Sequence, residues 1–247
     1  VQNIQQESSV GNACDTQHMP FKPCLAIGDD GDLVSENTPI VLKSIAQPVR
    51  LAAGETLFRQ NSPVTGFHLL LEGCLKETHI DGNGHESVIN FFYPNEFAGM
   101  DSLGKSFFDN TTEALVDSLI CSIPGPCVKD KNAKSVPCLE HYVWTLMALQ
   151  MTKSKSRLLA SRNYNAAQKL ADFLVTQAKK TMTGKLAASH LDLPMSRQDL
   201  ANHLGMSPET LSRLFADFTS RGLVKTWHAQ AHILDFDGLN RMISRPH

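Results

Sequence analysis

Between about Val49 and Ile123 the apolar positions fall in short runs, each cut off by a turn former. The runs are VRLAAGETLF, GFHLLLEGCLKETHI, SVINFFYPNEFAGM and ALVDSLICSIP, and the breaks are Gly54-Glu55, Gly73, the Asp81-Gly82-Asn83-Gly84 cluster and Pro94-Asn95. Short strands separated by Gly or Asn-Gly turns predict an antiparallel barrel or jelly roll. After Pro137 the period changes to that of a long helix, which runs toward Lys180 with a bend or break near Ser161 to Asn165. Trp144, Met147, Met151, Ser154 and Leu158 recur at alternating steps of three and four, the spacing of a coiled-coil seam. Such a seam pairs two copies of the chain or packs on its own barrel, and a helix of this length has faces enough for both.

The last pattern is the most informative. In SRQDLANHLGMSPETLSRLFADFTSRGLVKT, Ser196 is placed to cap a helix with Asp199 three residues on, Leu200 and Leu204 point one face inward, and Gly205 ends it. Ser207 caps a second helix with Pro208 at its first position, and Leu211, Leu214, Phe215 and Phe218 form its buried stripe. Glu209, Ser212 and Arg213 then share the outer face of its first turns. This is a helix-turn-helix, with its second helix presented as a reader of the major groove. There Arg213 can donate two hydrogen bonds to guanine, Glu209 can accept from cytosine, and Ser212 can bond a base edge or a phosphate. Ser196, Arg197, Ser207 and Thr210 lie at the helix starts beside it. RGLVKTWHAQAHILDF reads as a two-stranded wing that brings Arg221, Lys225 and His228 near the DNA backbone.

Charge supports a polyanionic partner for this end. Residues 1–152 hold 9 Lys+Arg against 18 Asp+Glu, a balance of −9, whereas residues 153–247 hold 14 against 7, a balance of +7; the two leave the net charge of −2. With 247 residues and 42% hydrophobic content, the chain can bury a core in each of two domains. It divides into an arm (1–38), a barrel (39–136), a dimerisation helix (137–163) and a winged helix-turn-helix (164–247). The fold class expected is α+β. No apolar run reaches the roughly 18 residues of a membrane span, and VQNIQQESSV lacks the make-up of a secretion signal, so the expected location is the cytoplasm. The six cysteines, Cys14, Cys24, Cys74, Cys121, Cys127 and Cys138, are then thiols, metal ligands or redox sensors and not a disulfide framework.

Barrel, long helix and helix-turn-helix in this order resemble the CRP/FNR superfamily of dimeric bacterial regulators, from about Val49 to the C-terminus. Glu209-Thr210-Leu211-Ser212-Arg213 is similar to the E-x-x-S-R signature of the FNR branch. Gly54-Glu55-Thr56-Leu57-Phe58 and Leu119-Ile120-Cys121-Ser122-Ile123-Pro124 resemble barrel segments of that branch. The resemblance implies a homodimer on a palindrome with half-sites like TTGAT, Glu209, Ser212 and Arg213 as base readers, and RNA polymerase as a further partner.

The sensor half departs from its relatives. Cyclic-nucleotide-binding members hold the cyclic phosphate with an Arg-Ser pair, but Phe107-Phe108-Asp109-Asn110-Thr111-Thr112-Glu113 offers no cation, which argues against cyclic AMP. Oxygen-sensing members hold a [4Fe-4S] cluster on three N-terminal cysteines and one barrel cysteine. Cys24 and Cys121 match two of these ligands, whereas Asp15 and His18 stand where two others are expected and Cys14 is one residue out of register. Two readings remain open: a cluster on Cys14, His18, Cys24 and Cys121, or a lost site in which Cys121 is a core thiol. A thiol switch from Cys14 or Cys24 is a third. Ser154 stands where oxygen-responsive relatives carry an acidic residue, so charge repulsion across the seam is absent. His68, His79 and His85 lack metal-ligand spacing and are expected to be surface or core residues.

A ligand-binding barrel acting only through protein contacts is the alternative to DNA binding. Enzymatic function is not expected, because no nucleophile-base order, phosphate loop or metal-hydrolase spacing appears.

Overall fold

The computed structural model describes residues 47–124, 147–180 apart from 149, 153, 157, 160 and 161, and 189–244. Trp144 and the arm residues Cys14, His18 and Cys24 lie outside the described residues.

The alternating runs become eight strands: β1 (Gln47–Leu51), β2 (Thr56–Phe58), β3 (Gly66–Glu72), β4 (Leu75–Ile80), β5 (Glu86–Phe92), β6 (Phe97–Ala98), β7 (Thr111–Ala114) and β8 (Ser118–Pro124). They form two four-stranded antiparallel sheets, ordered β1-β8-β3-β6 and β2-β7-β4-β5. This is the jelly-roll arrangement expected, but it is open and does not close into a barrel. Gly73 turns β3 into β4 with φ of +99°, and a Cβ there would meet the Ser118 hydroxyl and the Asp117 carbonyl, so only glycine fits. Phe107 to Glu113, the stretch that lacks the phosphate-holding Arg-Ser pair, is half strand: its second part pairs with β2 and β4.

The interior of this unit is packed with side chains. Phe58 and Phe108 stack with ring centroids 3.9 Å apart, among Leu51, Leu70, Leu75, Phe92 and Ile120. His68 is buried beside Phe58, hydrogen-bonded to the Ser122 hydroxyl at 2.9 Å. Burial lowers its pKa to about 4, so the ring is neutral at physiological pH.

Helical backbone occupies the described positions of 147–163 and stops at Tyr164 and Asn165. There Asn165 accepts the Gln168 amide at 2.9 Å while the Gln168 side chain accepts the Asn165 amide at 3.0 Å, a reciprocal cap that starts a new helix. The break expected at this point is therefore present. Four helices follow: α1 (Ala166–Lys180), α2 (Arg197–Leu204), α3 (Pro208–Ser220) and α4 (Phe236–Ser244). A sheet of β9 (His190–Asp192), β10 (Val224–Trp227) and β11 (Gln230–Ile233), in the order β10-β11-β9, completes this half. The wing thus has a third strand that the two-stranded expectation missed. It comes from upstream of α2 and is only three residues long.

A second hydrophobic cluster is shared by the two halves. Cys74, Val88, Phe91 and Tyr93 of the sheet unit pack in the same cluster as Leu170, Phe173, Leu200, Leu211, Phe218 and Leu239. β5 is a sheet edge, and α2 covers it. The Asn202 amide accepts from the Val88 N–H at 2.8 Å and donates to the Glu86 carbonyl at 3.0 Å, replacing the strand that an edge would otherwise recruit. The Lys76 ammonium lies 2.9 Å from Glu113 and 3.3 Å from Asp199, tying β4 to α2. Burial works against its charge, but the hydrogen bonds and the two carboxylates together raise its pKa.

Candidate nucleic-acid interface

The reading helix is built by its caps. Ser196 accepts the Asp199 amide at 3.0 Å and starts α2. Gly205 ends it at φ of 66°, with its own amide bonded to the Asn202 carbonyl and the Met206 amide bonded to the Ala201 carbonyl, each at 3.0 Å. That left-handed stop leaves Ser207 to begin α3 by accepting the Thr210 amide at 3.2 Å, with Pro208 in the first turn. Leu211, Phe215 and Phe218 are buried and Leu214 partly so, which anchors the inner face of α3 as expected.

The outer face follows from this anchoring. Glu209, Ser212 and Arg213 are all exposed, at spacings that put them on one side of the helix, with the small Ala216 next along it. A hydrogen bond from Ser207, then the Glu209 backbone amide, and then the nearby Arg213 charge hold the Glu209 carboxyl below the ordinary carboxylate range. It is an anion and an acceptor only. Arg213 forms no salt bridge among the described residues. A carboxylate, a hydroxyl and a guanidinium in this order supply the acceptor and the forked donor that base edges in a major groove match.

The neighbouring expected contacts divide into two groups. Ser196, Ser207 and Lys225 are exposed, with Ser196 and Ser207 at the helix N-termini, while Thr210 is partly buried. Arg221 is exposed at the end of α3 and pairs with Asp217 at 3.1 Å. Arg197 is different: its guanidinium lies 3.9 Å from the centroid of the Phe215 ring, half-buried, and burial lowers its pKa. It braces α2 against α3. His228 adopts φ of 48° at the turn between β10 and β11, and His79 and His85 bond the Asp109 carbonyl and the Asp81 carboxylate.

The sequence reasoning missed Asn202, Lys76 and His203, which carry the contact between the halves. No spacing signals them, because the partners they meet across the joint lie more than a hundred residues away.

Cys121 has 0% exposure, on β8 between β1 and β3. With Cys14, His18 and Cys24 outside, it is the one candidate cluster ligand among the described residues. No group of three His, Cys, Asp or Glu suited to a metal occurs among them. Burial, with Glu96 adding to it, pushes the Cys74 thiol up to about 12, so that it stays protonated and unreactive. No helix among the described residues is long and apolar enough to cross a membrane.

A jelly-roll sheet unit, a linking helix and a winged helix-turn-helix whose polar reading face is exposed define a DNA-binding regulator with an attached sensor-type domain. Residues 48–131 match the cyclic nucleotide-binding domain model and residues 168–242 the Crp-like helix-turn-helix domain model. The chain is 28% identical over 222 residues to the transcriptional regulatory protein btr of Bordetella pertussis, covering 90% of each. It is 29% identical over 185 residues to the transcriptional activator protein anr of Pseudomonas aeruginosa, covering 75% of each. Among solved structures, FixK2 from Bradyrhizobium japonicum superposes with a TM-score of 0.72 at 18% identity, over 82% of this chain and all of that one. The chain belongs to the CRP/FNR superfamily of transcription regulators, and it is a DNA-binding protein and not an enzyme.

Proposed function

We propose that the protein acts as a homodimer on a palindromic duplex with half-sites like TTGAT. Glu209, Ser212 and Arg213 read base edges, while Ser196, Ser207, Thr210, Arg221 and Lys225 meet the phosphates. Arg197 supports α3 from behind, and RNA polymerase is the protein partner that a regulator of this family addresses. The observation that carries this reading is the unobstructed Glu209–Ser212–Arg213 face on a helix whose other side is locked into the core. Two-fold pairing is supported by Met151 and Leu158, which are 61% and 59% exposed in the single chain. Exposed apolar residues at seam spacing call for a second helix to cover them.

The signal is not a cyclic phosphate in this proposal. Stacked Phe58 and Phe108 occupy the sheet interior, and the Lys105 ammonium is taken by Asp109.

The test is a titration of the full chain against a TTGAT palindrome and a scrambled duplex. The palindrome binds more tightly, both affinities fall as salt rises, and Arg213→Ala removes the discrimination at about 1–3 kcal/mol per lost bidentate contact. Equal affinity of the wild type for the two duplexes refutes the assignment.

A further inference from the structure

Two imidazoles stand side by side on the wing. His190 on β9 and His232 on β11 are cross-strand partners, and their rings lie 4.1 Å apart between centroids at an interplanar angle of 7°. We propose that this pair binds one divalent ion of the late first-row metals, such as copper, nickel or zinc, with water completing its coordination.

The strand register brings the two rings together. The Ile233 N–H donates to the Ser189 carbonyl at 2.7 Å, and the Leu193 N–H donates to the Ala229 carbonyl at 2.6 Å. Hydrogen-bonded and open pairs alternate along an antiparallel ladder, so His190 and His232 form an open pair, the kind whose side chains approach most closely. Leu191, Ala231 and Ile233 are buried on one face of the sheet, which leaves His190 exposed and His232 partly exposed on the other. A metal can reach both.

Their nitrogens are also free to bind. His68, His79, His85 and His203 each direct a ring nitrogen at Ser122, Asp109, Asp81 or Val88. His190 and His232 form no hydrogen bond or ion pair among the described residues, and each meets only the face of the other. An ion bound about 2 Å from two imidazole nitrogens holds those nitrogens about 3–4 Å apart. Rings already stacked at this separation need only fan together at one edge.

The donor set selects the ion. Imidazole suits copper, nickel and zinc, whereas calcium and magnesium require oxygen ligands. The charged neighbours on this face are Asp192, two residues along β9, and Lys225, opposite His232 on β10. Asp192 already accepts from the Gln230 side-chain amide at 2.8 Å, so it is no third ligand, and Lys225 is exposed on a flexible stem that can swing away from a cation. A bound ion would tie β9, a three-residue strand at the edge of its sheet, to β11.

The experiment titrates copper(II) iminodiacetate into the full chain without DNA and counts the imidazoles on copper by pulsed electron paramagnetic resonance. A two-imidazole signal is expected to saturate at one copper per chain. His190→Gln and His232→Gln, both on the solvent face, should each abolish that signal and leave copper on single imidazoles, held about a hundredfold more weakly because the second ligand is no longer tethered beside the first. Matching circular dichroism should show that both variants fold. His85→Gln, on the sensor sheet, should keep the two-imidazole signal. Absence of that signal in the wild type, its persistence in either wing variant, or its loss in His85→Gln overturns the proposal. The reading is made without DNA, so failure of the operator assignment would leave it unaffected.

Discussion

The Asn202 side chain caps the backbone of Val88 on the edge strand β5, accepting its N–H at 2.8 Å and donating to the carbonyl of Glu86 at 3.0 Å. One helix-turn-helix residue thereby closes the sensor sheet and fixes the reading head upon it. Asn202→Ala leaves a buried amide and a carbonyl unmatched, and the expected loss is about 1–2 kcal/mol of stability in denaturant unfolding. Asn202→Asp keeps the acceptor but not the donor and should fall between. A variant as stable as the wild type would mean that the joint does not depend on this side chain.

Arg197 and Arg213 should behave as opposites. Arg197 sits over Phe215, so Arg197→Ala is expected to lower stability by about 1 kcal/mol. The ratio of affinities for palindrome and scrambled duplex should stay unchanged. Arg213→Ala should do the reverse, leaving the unfolding midpoint in place and removing the ratio. Denaturant titrations and DNA titrations of the same two variants separate a brace from a reader.

His68 gives an acid-linked loss of stability. Its pKa falls from 6.5 in the unfolded chain to about 4 when folded. Between those values the unfolded state binds more protons, so stability declines as pH drops from about 6.5 toward 4. At 1.36 kcal/mol per unit, the whole interval amounts to on the order of 3 kcal/mol. His68→Leu should flatten that part of the stability-pH curve relative to the wild type, and the wild-type ring should show no NMR titration above about pH 5. A ring that titrates near 6.5 would contradict its enclosure.

Leu158 tests the seam. It is 59% exposed in the single chain, so Leu158→Asp should leave the monomer folded and place charge against charge in a pair. Sedimentation is expected to give a dimer for the wild type and a monomer for the variant. Operator affinity should drop with it, because two half-sites would no longer be held by one particle. A variant that still sediments as a dimer would move the pairing surface elsewhere.

Much of the local structure was legible in the residues. The turn formers at Gly54-Glu55, Gly73, Asp81–Gly84 and Pro94-Asn95 separate strands that are present in the fold. The Ser-capped helices around Gly205 have the ends that their caps dictate. One strand escaped because it is short. β9 has three residues.

By itself the sequence determined most of the strands and helices, where the capped helices stop, and which face of α3 carries Glu209, Ser212 and Arg213. These depend on periodicity and capping, which act over a few residues and are written in order along the chain. Only the tertiary structure decided that the sheets stay open, that Arg197 stacks on Phe215, that Cys121 is sealed, and that Asn202 fastens the reading head to β5. Those outcomes depend on contacts between residues far apart in sequence, and on which polar groups remain without partners once the backbone has met itself.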